Sequence, residues 1–156
     1  MTSKGMKSET ELNLTRVFKA PRAKVYEAWS KPEHIRHWAC PDAFTIPDVE
    51  IDFRTGGLTR VCMRAPDGSD HWSEGHYLEV VEGERVVSET TVGGDDPMFS
   101  AITTVTFEDH PEGTLVTVHQ SYTLYKPGVE TAMKGAPTGW GQTLDKLERL
   151  LAGMIG

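Results

Sequence analysis

The amino-acid sequence predicts an α+β fold, in which a curved antiparallel sheet of about six or seven strands grips a long C-terminal helix and two short helices follow the first strand. Three observations lead to this fold class. Residues 48–122 contain short alternating segments separated by tight turns, which is typical of an antiparallel meander. From Gly139 onward the apolar residues recur with a helical period. The length of 156 residues suits one domain.

The first strand is predicted at residues 12–18, where apolar and polar side chains alternate. Residues 1–10 lack such a pattern, so we expect a flexible tail there and one domain over residues 11–156. Further strands are predicted at residues 49–53, 58–64, 70–81, 85–92, 100–108 and 114–122. Turns rich in Gly, Pro and Asp separate these segments, so each strand is expected to pair with its neighbour in the antiparallel sense.

Two short helices are predicted between the first and second strands. Val25, Ala28 and Trp29 have the i, i+3, i+4 spacing of one apolar helical face. Pro32 can begin the second helix, because the first turn of a helix does not need the N–H that proline lacks. This second helix would direct Trp38 toward the core.

The C-terminal helix is predicted from residue 139 to about residue 152. Trp140, Leu144, Leu147 and Leu151 follow at i, i+4, i+7 and i+11, so they share one face. This helix alone is long enough to cover the apolar face of the sheet. A strongly twisted sheet wrapped around one helix seldom fills its interior, so the sequence predicts a cavity between them.

Composition and charge disfavour several classes of function. The net charge is −7 and no run of Lys or Arg occurs, which argues against binding to nucleic acids and to anionic membranes. No apolar run approaches the length of a membrane span, and the N-terminus does not resemble a signal peptide. Two cysteines far apart in sequence, Cys40 and Cys62, indicate a reducing compartment. We therefore expect a cytoplasmic protein.

Several motifs occur in the order found in one known superfamily. They are F-K-A-P at residues 18–21, V-Y-E-A-W at 25–29, D-x-R-x-G-G at 52–57, P-D-G at 66–68, G-x-Y-x-E-V at 75–80, E-R-V-V at 84–87 and G-W at 139–140. This order resembles the START-like, SRPBCC or helix-grip superfamily, and within it the branch named for the C-terminal domain of the activator of the heat-shock-protein-90 ATPase. The resemblance covers residues 12–152 and implies a helix-grip fold. It implies no single function, because the superfamily includes lipid carriers, hormone receptors, polyketide cyclases and co-chaperone domains.

The predicted cavity would be lined by side chains from several elements. These are Trp38, Phe53, Met63, His76, Val118, Gln120, Tyr122, Trp140 and Leu144. Gln120 shares a strand face with apolar residues, and an amide can both donate and accept hydrogen bonds, so it could orient a ligand.

Glu74 and His76 are the candidate catalytic residues. They share one face of the strand predicted at residues 70–81. If this face is concave, the pair could act as acid and base in the cavity. In the alternative, this face is solvated and Tyr77 points inward. The neighbouring Asp, His and Ser side chains of the strand point to opposite faces and cannot form a hydrolytic triad.

His34, His37 and Cys40 have the spacing H-x-x-H-x-x-C, and His and Cys are zinc ligands. A fourth ligand would have to come from a distant part of the chain, so we expect no metal, and no cofactor.

Three hypotheses about function remain open at this point. The first is a protein that binds a hydrophobic small molecule in the cavity. The second is an enzyme of the cyclase or hydrolase type. The third is an interaction module, such as a co-chaperone or a homodimer.

Overall fold

The computed structural model describes residues 8–155 and confirms the predicted α+β fold. The elements in chain order are β1 (Ser8–Phe18), α1 (Arg22–Ser30), α2 (Pro32–Trp38), β2 (Thr45–Ile51), β3 (Leu58–Arg64), β4 (Asp70–Val81), β5 (Arg85–Val92), β6 (Phe99–His110), β7 (Gly113–Leu124), α3 (Val129–Met133) and α4 (Ala136–Ile155).

The seven strands form one antiparallel sheet in the order β1-β7-β6-β5-β4-β3-β2. β2 to β7 form a meander, and β1 adds to the outer side of β7, where Phe18 pairs with Thr114 and Ser8 pairs with Leu124. β1 and β2 are therefore the two edges of the sheet. Pro47 lies in β2, and an edge strand tolerates proline because its outward N–H groups have no partner strand.

Three predicted boundaries are corrected by the structure. β1 begins at Ser8, so Ser8, Glu9 and Thr10 belong to the strand and not to the predicted tail, whereas residues 1–7 lie outside the described part of the chain. β2 ends at Ile51, before the predicted end of that strand, because residues 52–57 form a turn. α4 also begins three residues before Gly139, with a proline in its first turn.

α4 lies across the hollow side of the sheet. Leu144, Leu147 and Leu151 are at most 2 % exposed and belong to the same apolar cluster as Val116 and Val118 of β7. We call the face of the sheet that carries these β7 residues the concave face, and the opposite face the convex face. α4 also contacts α1, α2 and β1.

An ion pair on the concave face joins α4 to the edge strand β1. The guanidinium of Arg16 lies 2.6 Å from Asp145 and 3.5 Å from Glu148. Both carboxylates are more than half exposed, so water weakens this pair and the apolar contacts carry most of the attachment.

The turn at residues 52–57 is bound to the middle of β4. The N–H of Gly56 donates to the carbonyl oxygen of Tyr77 at 2.7 Å, and the N–H of Tyr77 donates to the carbonyl oxygen of Gly57 at 2.9 Å. Immediately after Tyr77 the pairing of β4 with β5 shifts, between Tyr77 and Glu79. The turn therefore holds β4 at the point where a β-bulge interrupts its ladder.

Among residues 8–155, no helix combines the length and the apolar composition that crossing a bilayer requires.

Candidate functional site

The side chain of Tyr77 decides which face of β4 is concave. It is 6 % exposed and packs edge-on against Phe53, with ring centroids 5.0 Å apart. Tyr77 pairs with Ser88, which pairs with Thr103, which pairs with Gln120. Directly paired residues point to the same side of a sheet, so these four side chains form one row across the concave face.

The neighbouring row on the concave face is also made of small side chains. Thr90 pairs with Ala101 on one side and with Gly75 on the other, and Gly75 pairs with Thr59. Ser73 and Val92 form the next pair. The middle of the concave face therefore carries hydroxyl groups and few large apolar groups.

These small residues are only partly buried, although they point toward the interior. Ser73, Ser88, Thr90, Val92 and Thr103 are all of intermediate exposure, whereas Val116 and Val118 on the same face are completely buried. The helices therefore bury the inner side chains of β7, together with Tyr77, Val86 and Val105 on the central strands, and leave a set of small side chains between them partly exposed. We call the space over Ser73, Ser88, Thr90, Val92 and Thr103 the concave cleft.

A hydrogen-bonded network borders the concave cleft on the side of α4. The side-chain oxygen of Gln120 accepts from the indole N–H of Trp140 at 2.8 Å and from the hydroxyl of Tyr122. The amide nitrogen of Gln120 donates to the hydroxyl oxygen of Thr103 at 2.8 Å. One buried amide thus connects α4, β7 and β6, and both of its polar atoms are satisfied.

Burial raises the pKa of Tyr122 above its ordinary value, so its hydroxyl stays protonated at neutral pH. The network is therefore uncharged. It can donate or accept hydrogen bonds, but it offers no charge to an ionic ligand.

A cavity of about 350 Å³ lies beside this network, between β1, α3 and the start of α4. Its lining consists of Thr10, Glu11, Leu12, Tyr122, Glu130, Met133, Lys134, Ala136 and Pro137. Tyr122 belongs both to this lining and to the hydrogen-bonded network.

Eight of the nine residues predicted to line a cavity fall into three groups. Trp38, Val118 and Leu144 are at most 2 % exposed and pack in the core, and the indole N–H of Trp38 donates to the carbonyl oxygen of Ala28 at 3.0 Å. They support the surrounding walls and do not face open space. Phe53 and Met63 are partly buried apolar residues, and Met63 packs with the cluster under α2.

The third group consists of residues whose side chains form hydrogen bonds. Gln120, Tyr122 and Trp140 are brought together by the network described above. Their role in binding a ligand stays a prediction.

His76 lies apart from the other residues predicted to line the cavity. His76 is exposed and lies on the convex face, because Tyr77 takes the inward position next to it. Glu74 lies on the same convex face, where it accepts a hydrogen bond from Arg60 at 2.5 Å. The guanidinium of Arg60 also stacks over Trp72, 4.4 Å from the ring centroid. Glu74 and His76 therefore do not form an acid–base pair in the cleft.

Two of the three residues considered as zinc ligands, His34 and Cys40, have other partners. His34 lies 3.4 Å from a carboxylate oxygen of Glu27, and the thiol of Cys40 lies 3.3 Å from the carbonyl oxygen of Phe44. Within the described part of the chain, no group of three or more His, Cys, Asp or Glu side chains is placed to hold a metal ion.

Sequence reasoning missed the hydroxyl residues of the concave cleft, Ser73, Ser88, Thr90 and Thr103. A signal was present, because the β5 sequence alternates and places Ser88 and Thr90 on the same face as Val86. Recognising it required the register between strands, which determines that this face is the inner one.

The sequence and the fold match known proteins. The model of the family described as "Activator of Hsp90 ATPase homolog 1-like protein" matches residues 19–152. No curated protein matches the chain significantly. An uncharacterised protein from Rhizobium leguminosarum has a structure with a TM-score of 0.80 and 32% sequence identity, and the match covers 94% of this chain and 96% of that one.

Two other solved structures are similar over most of their length. A protein from Chromobacterium violaceum is 29% identical with a TM-score of 0.78, and 90% of this chain and 96% of that one are covered. A protein from Nitrosomonas europaea is 26% identical with a TM-score of 0.78, and 92% of this chain and 95% of that one are covered. The shared fold is consistent with ligand binding or with a co-chaperone-like role. Because the family model covers most of the sequence, the chain belongs to the family of Activator of Hsp90 ATPase homolog 1-like proteins.

Proposed function

We propose that this protein binds a hydrophobic small molecule in the concave cleft between the sheet and α4. One observation carries the proposal: several small inward-facing side chains of the central strands are only partly buried. Ser88, Thr90 and Val92 point to the same side as the fully buried Val86, yet all three are of intermediate exposure. In a protein whose interior served stability alone, such positions would be filled by larger side chains.

The surroundings of the cleft supply apolar contact area. Phe53, Phe99 and Trp140 are partly buried aromatic residues that pack at the edges of the core clusters. Aromatic rings of this kind bury much of a ligand's surface and at the same time restrict its orientation. The adjoining cavity of about 350 Å³ also falls in the usual size range of small-molecule sites.

The thiols support a location in the cytoplasm. Cys40 and Cys62 are both free and buried, and they form no disulfide with each other. Free thiols are typical of proteins in reducing compartments.

Filling the cleft tests the proposal. Ser88→Phe introduces an aromatic ring into the middle of the concave face. We expect this variant to lose at least about tenfold in affinity for the neutral apolar dye Nile red, because the ring occupies the space that the dye needs. The measurement is a titration followed by the fluorescence of the dye.

Thr104→Phe is the matched control, because Thr104 pairs with Val87 on the convex face and is also partly buried. It adds a ring of the same size without touching the cleft, and the affinity for the dye should stay within about twofold of that of the unchanged protein. Equal affinity of both variants for Nile red would count against binding in the cleft. The absence of saturable binding by the unchanged protein would end the proposal.

No observation favours the two other functions. A catalytic role for Glu74 and His76 is not supported, because both side chains lie on the convex face. An interaction module would be supported by a large exposed apolar patch. Among the described residues the exposed large apolar side chains are Leu78 and Ile102, which lie on different strands.

A further inference from the structure

The polar groups of the concave cleft carry information about the chemistry of its ligand. Ser73, Ser88 and Thr90 point inward, and no hydrogen bond joins their hydroxyl groups to another side chain or backbone group in the described part of the chain. All three residues are only partly buried, so their hydroxyl groups are free to bind partners that come from outside the protein.

The hydroxyl of Thr103 can also donate a hydrogen bond to a ligand. Its oxygen accepts a hydrogen bond from the amide of Gln120, so its own hydrogen remains available to donate. Together with Ser88, which pairs with it across β5 and β6, it extends the row of donors toward the network around Gln120.

The middle of β4, β5 and β6 carries no charged side chain on the concave face, whereas His71, two residues before Ser73 on the same face, is exposed near the start of β4. The residues that point inward from the middle of β4, β5 and β6 are Ser73, Gly75, Tyr77, Val86, Ser88, Thr90, Val92, Ala101, Thr103 and Val105, all of them uncharged. Arg16 on β1 also points inward, but its guanidinium is bound by Asp145 and Glu148. Glu130 and Lys134 lie at the adjoining cavity beside α3.

From these contacts we infer that the ligand is an uncharged molecule with an apolar body and hydroxyl or carbonyl oxygens along one edge. The apolar body packs on the aromatic residues around the cleft, and the oxygens bind the hydroxyl groups of Ser88, Thr90 and Thr103. A carboxylate in the same position would lose its hydration without meeting a cation, which is strongly unfavourable. This inference rests on the proposed function and adds the class of ligand.

The spacing of the hydroxyl groups suggests a set of probes. Ser88 and Thr90 are two residues apart on one strand, so their Cα atoms are separated by about 7 Å. The two oxygens of 2,7-dihydroxynaphthalene lie a similar distance apart on a rigid apolar skeleton. Naphthalene, 2-naphthol and 2-naphthoate share that skeleton and differ only in their polar groups, so they separate apolar contact, hydrogen bonding and charge.

Isothermal titration calorimetry at neutral pH measures the affinity of each probe. We expect the diol to bind about tenfold or more tightly than naphthalene, with 2-naphthol in between, because each added oxygen gains a hydrogen bond. We expect 2-naphthoate to bind at least about tenfold more weakly than 2-naphthol.

The variant Thr90→Val replaces one hydroxyl by a methyl group of nearly the same size. It should weaken binding of the diol by about threefold to tenfold and leave binding of naphthalene unchanged. Thr104→Val makes the same replacement on the convex face and should change neither affinity. Circular dichroism of both variants verifies that they are folded.

The results separate the class of ligand from the proposed function. If naphthalene binds but 2-naphthoate binds as tightly as the diol, the inferred class is overturned and the proposed function stands. The same conclusion follows if Thr90→Val leaves the preference for the diol over naphthalene unchanged. If none of the four probes and no Nile red binds, both the inferred class and the proposed function are overturned.

Discussion

The buried side chain of Tyr77 determines which face of β4 points toward the interior. Its ring is almost fully buried between Phe53 and the strands, and burial raises the pKa of its hydroxyl to about 12, despite a hydrogen bond with Thr59 that lowers it. The phenol therefore has to stay neutral for the native packing to persist. No similar constraint holds for His76, which is exposed on the other face.

The raised pKa of Tyr77 predicts a dependence of stability on pH. The folded value of about 12 is higher than the ordinary value of 10, so the stabilisation from the neutral hydroxyl is complete below pH 10 and is lost as the pH rises through about 12. Two units of pKa correspond to roughly 2–3 kcal/mol. Tyr77→Phe lacks this loss, but at neutral pH it gives up the hydrogen bond with Thr59, which costs about 1 kcal/mol.

Urea unfolding of both proteins at a series of pH values measures the effect. The phenylalanine variant should be the less stable protein at pH 8 and the more stable one near pH 12. Parallel curves for the two proteins across this range would show that the hydroxyl of Tyr77 is not shielded from water.

At the scale of elements, the turn between β2 and β3 uses two adjacent glycines for different reasons. Gly56 has a φ of 86°, in the left-handed region, and a Cβ atom at this position would meet nothing within 4 Å. At Gly57 a Cβ atom would lie 1.9 Å from the carbonyl oxygen of Asp52. The first glycine is therefore required by backbone conformation, and the second by the close approach of two backbone segments.

Substituting each glycine by alanine should separate these two requirements. Gly56→Ala should lower the free energy of unfolding by about 1–2 kcal/mol, which is the cost of a left-handed conformation for a residue with a Cβ atom. Gly57→Ala should lower it by at least roughly 3 kcal/mol, because the turn must move away from its hydrogen bonds with Tyr77. Chemical denaturation gives both values, and a larger loss for Gly56→Ala than for Gly57→Ala would contradict this account.

The predicted bounds of an element agree with the structure where they depend only on neighbouring residues in the sequence. β3, β4 and β5 begin and end at the predicted residues, because alternation and turn residues are properties of short segments. The predicted start of α4 is three residues too late, because the helical apolar period begins only near Trp140, whereas Pro137 lies in the first turn of the helix. The bounds of β2 were shifted because its single neighbour, β3, and its contact with α2 determine where it ends.

The alternating pattern of β4 does not reveal which of its two faces points toward the interior. Alternation correctly grouped Glu74 with His76 and separated them from Tyr77, but both assignments of the concave face were compatible with it. The choice depends on contacts with distant residues, namely Phe53 and Ser88. The hydroxyl groups of the cleft were missed for the same reason, whereas Gln120 was found because its strand carries valines at every second position before it.

At the scale of the whole molecule, α4 is held mainly by apolar contacts with a single side of the sheet. Leu147 is completely buried in the main cluster, whereas Arg16 forms its ion pairs at the solvent-exposed rim. Both kinds of contact attach α4 to the rest of the domain, so their contributions can be compared.

Leu147→Ala should lower the free energy of unfolding by about 3 kcal/mol, because it removes buried methyl groups and leaves a cavity. Arg16→Ala should lower it by less than about 1 kcal/mol, and added salt should reduce that difference further. Denaturation at low and high salt measures both effects. A loss in Arg16→Ala equal to that in Leu147→Ala would show that electrostatic attraction, and not apolar burial, holds the helix.

The pairing of β1 with β7 has a consequence for how the chain is synthesised. β1 leaves the ribosome early, but its single partner strand is made only after all the intervening strands, since Phe18 pairs with Thr114 and Ser8 with Leu124. Before β7 is made, β2 to β6 can already form their consecutive hairpins, but one side of β6 has no partner strand. A nascent chain interrupted before residue 113 therefore exposes two unpaired backbone edges, and these are the surfaces by which incomplete chains would associate with one another.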